Sequence, residues 1–195
     1  NTEYFRQDLK IEEKNNWDYN RKNLFFNLGA EYYFDDKTSL TLSGFFKGGP
    51  EYSNLVNIVN DISNQSISSS NKRLRDENED DTSFEYALDF YKDFEKEGHT
   101  LSARVSYEEG EDDGIEDIED FATFPILSES TFEKVTNLDS QNRLLAQFDY
   151  VYPFDKNTEL EFGYRGNFVE RETDYDVSFL ENNNFISDLG LSNIF

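Results

Sequence analysis

The sequence contains no cysteine, no methionine and only one histidine, His99, among its 195 residues. Without cysteine the chain forms no disulfide bond and no thiolate-ligated metal site, and one histidine cannot complete the usual zinc ligand sets. The chain has no run of about eighteen apolar residues, which excludes a transmembrane helix. Nucleophile and nucleotide-binding motifs are also absent. We therefore predict that the chain is not an enzyme.

Positively charged residues are also scarce. The chain has 18 Lys and Arg against 42 Asp and Glu, and the net charge of -24 would repel the phosphates of nucleic acid. The mean hydropathy of -0.81 is typical of a solvated chain, whereas an aromatic content of 16% is typical of a folded one. A transmembrane β-barrel reconciles the two values, because half of each strand faces a polar lumen.

A motif recurs through the chain with a period of sixty residues. Its copies occupy residues 24–34, 84–94 and 144–154, and each alternates apolar with polar residues before ending on phenylalanine. A short polar turn and a second alternating run follow each copy. Repetition with a side-chain period of two predicts repeated β-hairpins, which we place at about 23–47, 82–109 and 141–176.

The two faces of these hairpins differ in character. The apolar face is predicted to carry in mid-strand Leu28, Leu42, Leu88, Val105, Phe148 and Phe162. The opposite face carries Glu31, Asp89, Arg104 and Arg165. In a membrane barrel the apolar side chains would meet lipid, whereas in a soluble sandwich they would pack on a second sheet about 10 Å away.

Aromatic residues gather at both ends of the apolar face, as expected for the two interface girdles of a transmembrane barrel. Next to the short turns lie Tyr32, Phe34, Phe90, Phe94, Tyr150, Tyr152 and Phe154. At the far end lie Phe46, Tyr107, Tyr164 and Phe168. We predict that all of these side chains sit at the membrane interface.

The connections between hairpins are long on one side only. Short turns follow the first strand of each hairpin, whereas the opposite connections, 48–81 and 110–141, exceed thirty residues. Short periplasmic turns and long outer loops are typical of outer-membrane barrels. Trp17 is predicted to lie in a further loop, where it would contact a ligand or pack against the protein.

The outer connections hold much of the acidic charge. Nine of the thirteen residues from Glu108 to Asp120 are acidic. Several carboxylates could hold Ca²⁺, but no EF-hand spacing is present, so the alternative is a solvated, self-repelling loop with no cofactor. The spacing of Ile115, Ile118 and Phe121 predicts a short helical turn inside this loop.

Two segments give the chain a resemblance to a known family. Residues 84–94 with 97–103, and residues 148–154 with 160–165, resemble the barrel of TonB-dependent outer-membrane receptors. Their alternating strands and short polar turns are similar to those of the outer-membrane β-barrel family common in the Bacteroidetes. The resemblance implies a cell outer membrane location and a barrel of about 22 strands around an N-terminal plug. It also implies three kinds of partner: outer-membrane lipid, the remainder of the barrel with its plug, and the TonB energy-transducing complex.

The sequence as a whole predicts an all-β fold, an antiparallel up-and-down segment of a transmembrane β-barrel spanning 1–195. We expect about seven strands, beginning near 4–11 and stopping at a new strand at 193–195. The opening at Asn1 and the lack of methionine predict a piece of a longer chain. The expected function is TonB-dependent uptake of a nutrient or metal complex. The alternatives are a structural, secretion-linked or adhesin barrel without transport, and a soluble acidic β-sandwich that binds carbohydrate or calcium.

Overall fold

The computed structural model describes residues 2–6 and 9–194, which form one antiparallel sheet of ten strands. The strands are β1 Thr2–Arg6, β2 Leu9–Arg21, β3 Leu24–Asp35, β4 Thr38–Ser63, β5 Ser66–Asp93, β6 Thr100–Phe124, β7 Thr131–Asp155, β8 Thr158–Glu181, β9 Asn184–Ser187 and β10 Asn193–Ile194. The predicted all-β antiparallel fold is confirmed, but the count of about seven strands is wrong. Phe195 lies outside the described residues, as do residues 7 and 8 of the strand predicted near 4–11.

The extra strands arise partly from interruptions in longer runs. Both β2 and β3 pair with β4, so together they form one long run that breaks at residues 22–23. At this break a Cβ on Gly49 would clash with the carbonyl oxygen of Lys22, which only glycine avoids. Similarly, β9 and β10 both pair with β8. The remaining strands follow one another in sheet order, as in an up-and-down meander.

The predicted long outer loops are strands instead. The hairpin of β4 and β5 continues to a two-residue turn at Asn64 and Gln65, and the segment 110–124 belongs to β6. Residues 115–121 are therefore extended, and the predicted helical turn is wrong. Trp17 lies in β2, and its predicted loop placement is also wrong. Backbone hydrogen bonds between paired strands continue here, although both faces of the hairpins are mostly polar. A small apolar cluster of Ile118, Val135 and Val177 is buried on one of these faces.

The register of the sheet shows the slip that tilted barrel strands require. Thr38, the first residue of β4, lies in one row with Lys92, Leu101, Tyr150 and Phe162. Phe162 is four residues past the start of β8 at Thr158, so the rows slip by about one residue per strand from β4 to β8. A slip of one residue per strand displaces neighbouring strands by about 3.3 Å over a strand spacing of about 4.8 Å. If the short turns all lie at the same height, the strands are tilted by about 35° from the barrel axis.

The sheet is a single open layer. Its edges are β1 on one side and β9 with β10 on the other, and the described strands contact only their neighbours in the sheet. A second sheet is not found among residues 2–6 and 9–194, so the soluble sandwich alternative is wrong. Across the same residues, no helix is both long and apolar enough to cross a membrane.

Candidate ligand-binding surface

The apolar band lies on one face of the sheet, in the half next to the short turns. One row across it joins Ala30, Leu42, Leu88, Val105 and Ala146 on neighbouring strands. The mid-strand side chains predicted for this band are uncovered: Leu28 is 66% exposed and Phe162 is 61% exposed. No second layer packs on them among the described residues, so the band is available to lipid.

The predicted interface aromatics occupy this same face. Near the short turns Tyr32 meets Phe34 edge to face at 5.0 Å between ring centroids, and Tyr152 meets Phe154 at 5.3 Å. Because the rows slip, Tyr164 of the far set shares a row with Tyr32 of the near set. Their place at the lipid interface stays a prediction, because it depends on where the membrane boundary lies.

The opposite face, called here the polar face, carries the charged side chains behind the band. Arg104 on β6 donates to both carboxylate oxygens of Asp89 at 3.0 Å and to Glu85 at 3.0 Å. Two carboxylates on the neighbouring strand thus compensate the charge of this arginine and accept its hydrogen bonds, so the group needs no surrounding protein core. This face therefore suits contact with water rather than packing against a second sheet.

Beyond the band, the hairpins continue as a wall about seventeen residues tall, which we call the outer extension (β4 residues 47–63 and the segments paired with them). At about 3.3 Å per residue it is roughly 55 Å long along the strands, and a tilt of about 35° makes its height roughly 45 Å. On its polar face Asp81 accepts hydrogen bonds from Arg21 at 3.0 Å and Lys47 at 2.6 Å, which ties β2, β4 and β5 together. Arg21 also pairs with Glu51 at 3.2 Å.

Trp17, the only tryptophan of the chain, lies on the polar face of the outer extension. Its indole Nε1 donates to Ser53 Oγ at 3.3 Å, which fixes the ring orientation while 65% of the residue remains exposed. Asn57 Nδ2 donates to Glu13 at 2.6 Å and to Asn15 at 2.5 Å on the neighbouring strand. These residues line a depression of about 750 Å³, a size that suits a small ligand.

The two arginines of the Trp17 depression are paired with carboxylates, which outnumber them. Arg75 contacts Glu116 at 2.7 Å and Glu77 at 3.2 Å, and Arg73 contacts Asp120 at 3.1 Å. A surface of paired charges, amides and one fixed aromatic ring can offer hydrogen bonds and an apolar contact plane together. Because carboxylates are in excess, the arrangement suits a polar ligand that is neutral or weakly cationic.

A pair of carboxyl groups shares this face between β5 and β6. Burial and the neighbouring carboxylate of Asp112 raise the pKa of Glu79 to about 7. Burial also raises the pKa of Asp112, and a hydrogen bond from Glu79 opposes that rise. The pair therefore carries a proton near neutral pH, as expected when two acids are held close together and are partly shielded from water.

The acidic segment from Glu108 to Asp120 does not form the possible Ca²⁺ site. Its residues alternate between the two faces of β6, so that Asp112 and Glu116 face one way while Asp113 and Asp117 face the other. Carboxylates that diverge in this way cannot converge on one ion. In the described part of the chain, no three acidic or histidine side chains are grouped to hold a metal.

Sequence reasoning missed most of this surface. It identified Trp17 as a possible ligand contact but not Ser53, which accepts a hydrogen bond from the indole and lies 36 positions away in the chain. It also missed the neighbouring contact of Asn57 with Asn15, which are 42 positions apart. The ion pair of Arg21 and Asp81 joins residues 60 positions apart. No local pattern signals such pairs, because they depend on the register between strands.

Comparisons with known proteins agree with this architecture. No curated protein matches the chain. Residues 92–195, more than half of the chain and covering its last strands, match the family described as outer membrane protein beta-barrel family. That match fits the tilted antiparallel rows and the uncovered apolar band. The chain belongs to this outer membrane β-barrel family, and its location is the outer membrane.

Proposed function

We propose that this chain forms part of the wall of an outer-membrane receptor that takes up a nutrient or a metal complex using energy from TonB. The observation that carries the proposal is the tall outer extension, whose polar face holds the fixed Trp17 ring and its depression above the apolar band. A ligand bound on that face lies on the side that lines the lumen of a barrel. It is thus positioned for passage inward.

The competing function is adhesion or a structural role without transport. An adhesin would make its contacts at the tips and the outward side of the extension. The tip between β6 and β7 exposes Ile126 and Leu127, which are 79% and 70% accessible, and this is the observation that favours adhesion. The Trp17 depression instead faces the lumen side, where an adhesive contact has no access.

The test uses the natural full-length protein in its own host. The gene is deleted, and growth is measured with ferric chelates, cobalamin and oligosaccharides each supplied as the limiting nutrient. We expect a growth defect on one of them, and the same defect after inactivation of TonB. Complementation with Trp17→Ala should restore growth poorly, whereas Tyr33→Ala, an exposed aromatic of β3 far from the depression, should restore it fully.

Two outcomes would contradict the uptake proposal. One is normal growth of the deletion strain on every nutrient together with loss of attachment to surfaces. The other is a growth defect that inactivation of TonB does not reproduce. In either case the adhesin or structural alternative would replace it.

A further inference from the structure

The turn between β5 and β6 builds a compact group of aromatic and cationic side chains at the short-turn end of the apolar band. The His99 ring stacks on Phe94 at 3.9 Å between centroids, and His99 Nε2 lies 2.9 Å from the Tyr150 hydroxyl oxygen. Gly98 adopts a φ of +79°, which lets the turn fold His99 back over the strand end. We call this group the rim cluster: Phe94, His99 and Tyr150, together with Lys92, Lys96 and Tyr152.

The two lysines of the rim cluster lie over aromatic rings. Lys92 Nζ lies 5.3 Å from the centroid of Phe94, and Lys96 Nζ lies 4.8 Å from that of Tyr152. Lys96 also donates to the backbone carbonyl of Phe154 at 3.1 Å. The cation–π contact holds Lys92, and the cation–π contact together with the carbonyl hydrogen bond holds Lys96. Neither kind of contact neutralises the positive charge.

Lys92 and Lys96 differ from several other lysines of the chain, which form ion pairs. On the outer extension Lys47 pairs with Asp81 at 2.6 Å and Lys134 with Asp117 at 3.2 Å. At the rim, Glu95 pairs with Lys37 at 3.0 Å. Within residues 2–6 and 9–194, neither Lys92 nor Lys96 has a carboxylate oxygen within 4.0 Å of Nζ.

We propose that the rim cluster binds the phosphate of an anionic phospholipid headgroup in the leaflet next to the short turns. Lys92 lies on the apolar face, in one row with Leu101 and Tyr150. An anion bound there is therefore in line with acyl chains that cover the band. The two ammonium groups supply the charge, and the aromatic rings supply the amphipathic contact surface typical of a membrane interface.

A lipid fits this position better than a free anion. The site opens onto the uncovered apolar band, where acyl chains gain contact that inorganic phosphate cannot make. The headgroup would thus be held both by charge and by the burial of its chains. This inference depends on the outer-membrane location and not on the uptake function.

The experiment reconstitutes the full-length protein into nanodiscs of mixed phosphatidylglycerol and phosphatidylcholine. Lipid retained after gentle detergent extraction is measured by native mass spectrometry. We expect phosphatidylglycerol to be enriched on the natural protein. In the double variant Lys92→Gln/Lys96→Gln the enrichment should fall by at least about tenfold, since each lysine near a membrane surface contributes a factor of about five.

Lys72→Gln is the matched control, because Lys72 also lies over an aromatic ring, Phe121 at 5.9 Å, but on the outer extension. It should retain natural enrichment. Insertion of each variant is checked by the heat-dependent shift in gel mobility of folded barrels. If the double variant does not insert, Lys96→Gln alone is measured, since Lys96 lies in the turn outside the strand ladder.

Three results would overturn the lipid site. Natural protein without phosphatidylglycerol enrichment contradicts it directly. So does a folded double variant, or a Lys96→Gln variant, that keeps the natural enrichment. Release of the retained lipid by inorganic phosphate would show a general anion site in place of a headgroup site.

Discussion

Leu88 and Ile115 point from the same face of the sheet and have similar exposure, 43% and 40%. They differ in their position relative to the membrane, because Leu88 lies in the apolar band and Ile115 lies beyond it on the outer extension. An arginine at Leu88 should therefore cost about 2–4 kcal/mol of folding free energy in a bilayer, whereas Ile115→Arg should cost close to zero. Chemical unfolding from lipid vesicles measures both. Equal costs would contradict the membrane placement of the band.

The raised pKa of Glu79, also a single residue, predicts that the stability of the β5–β6 hairpin depends on pH. Its folded pKa of about 7 lies above the ordinary 4.5 of a glutamate, so the folded state favours its protonated form. This contribution to stability is complete below about pH 4.5 and is lost as the pH rises through about 7. Hydrogen exchange of the β5 and β6 amides should therefore be faster at pH 8 than at pH 5, after correction for intrinsic rates.

Glu79→Gln tests the assignment of that pH dependence. It should increase protection at pH 8 and flatten the difference between the two pH values, because an amide does not ionise. Glu109→Gln, on the opposite face of the same hairpin, should leave the difference unchanged. An unchanged profile in Glu79→Gln would assign the effect to other groups.

At the scale of elements, the outer extension depends on its tip turns. The β4–β5 turn places Asn64 at a φ of 48° and Gln65 at a φ of 65°, and the β8–β9 turn repeats this with Asn182 and Asn183 at 49° and 66°. Two consecutive residues with positive φ are typical of the type I′ turn, whose twist matches that of paired strands. Asparagine suits this conformation, and a β-branched residue does not.

Gln65→Val should therefore destabilise the tip of the β4–β5 hairpin by about 1–2 kcal/mol. Hydrogen exchange of the last β4 and β5 amides would show faster local opening, with the apolar band unaffected. Ser66→Val changes the neighbouring residue, which lies in the strand ladder opposite Ser63, and should have little effect. Similar opening in both variants would indicate that the turn conformation does not limit the hairpin.

At the scale of the whole molecule, the sheet has two unpaired edges. Open edges present unsatisfied backbone groups, which a bilayer does not hydrate. Residues 1–195 expressed alone should therefore associate through these edges in detergent, and light scattering on a size-exclusion column should show a mass above 22.9 kDa for the protein component. A monomeric closed barrel built by these residues alone would contradict this expectation.

The sequence by itself determined the membrane-facing half of this protein. Alternation in 24–34, 84–94 and 144–154 predicts the strands, their short turns and the face that each side chain takes. It does so because a bilayer on one side and a wet lumen on the other impose opposite chemistry at every second residue. The observed register aligns Leu42, Leu88 and Val105 in one row, as that alternation requires.

Only the tertiary structure decided the outer extension. Above the apolar band both faces of a strand meet water, and polar residues predominate on both, with apolar ones such as Val56, Ile118 and Val135 scattered among them, so the regular period of two disappears. The segments 48–81 and 110–141 consequently look like loops, although most of their residues pair as strands. The partners of Trp17 and Asp81 follow from strand register over tens of residues, which composition and local pattern do not encode.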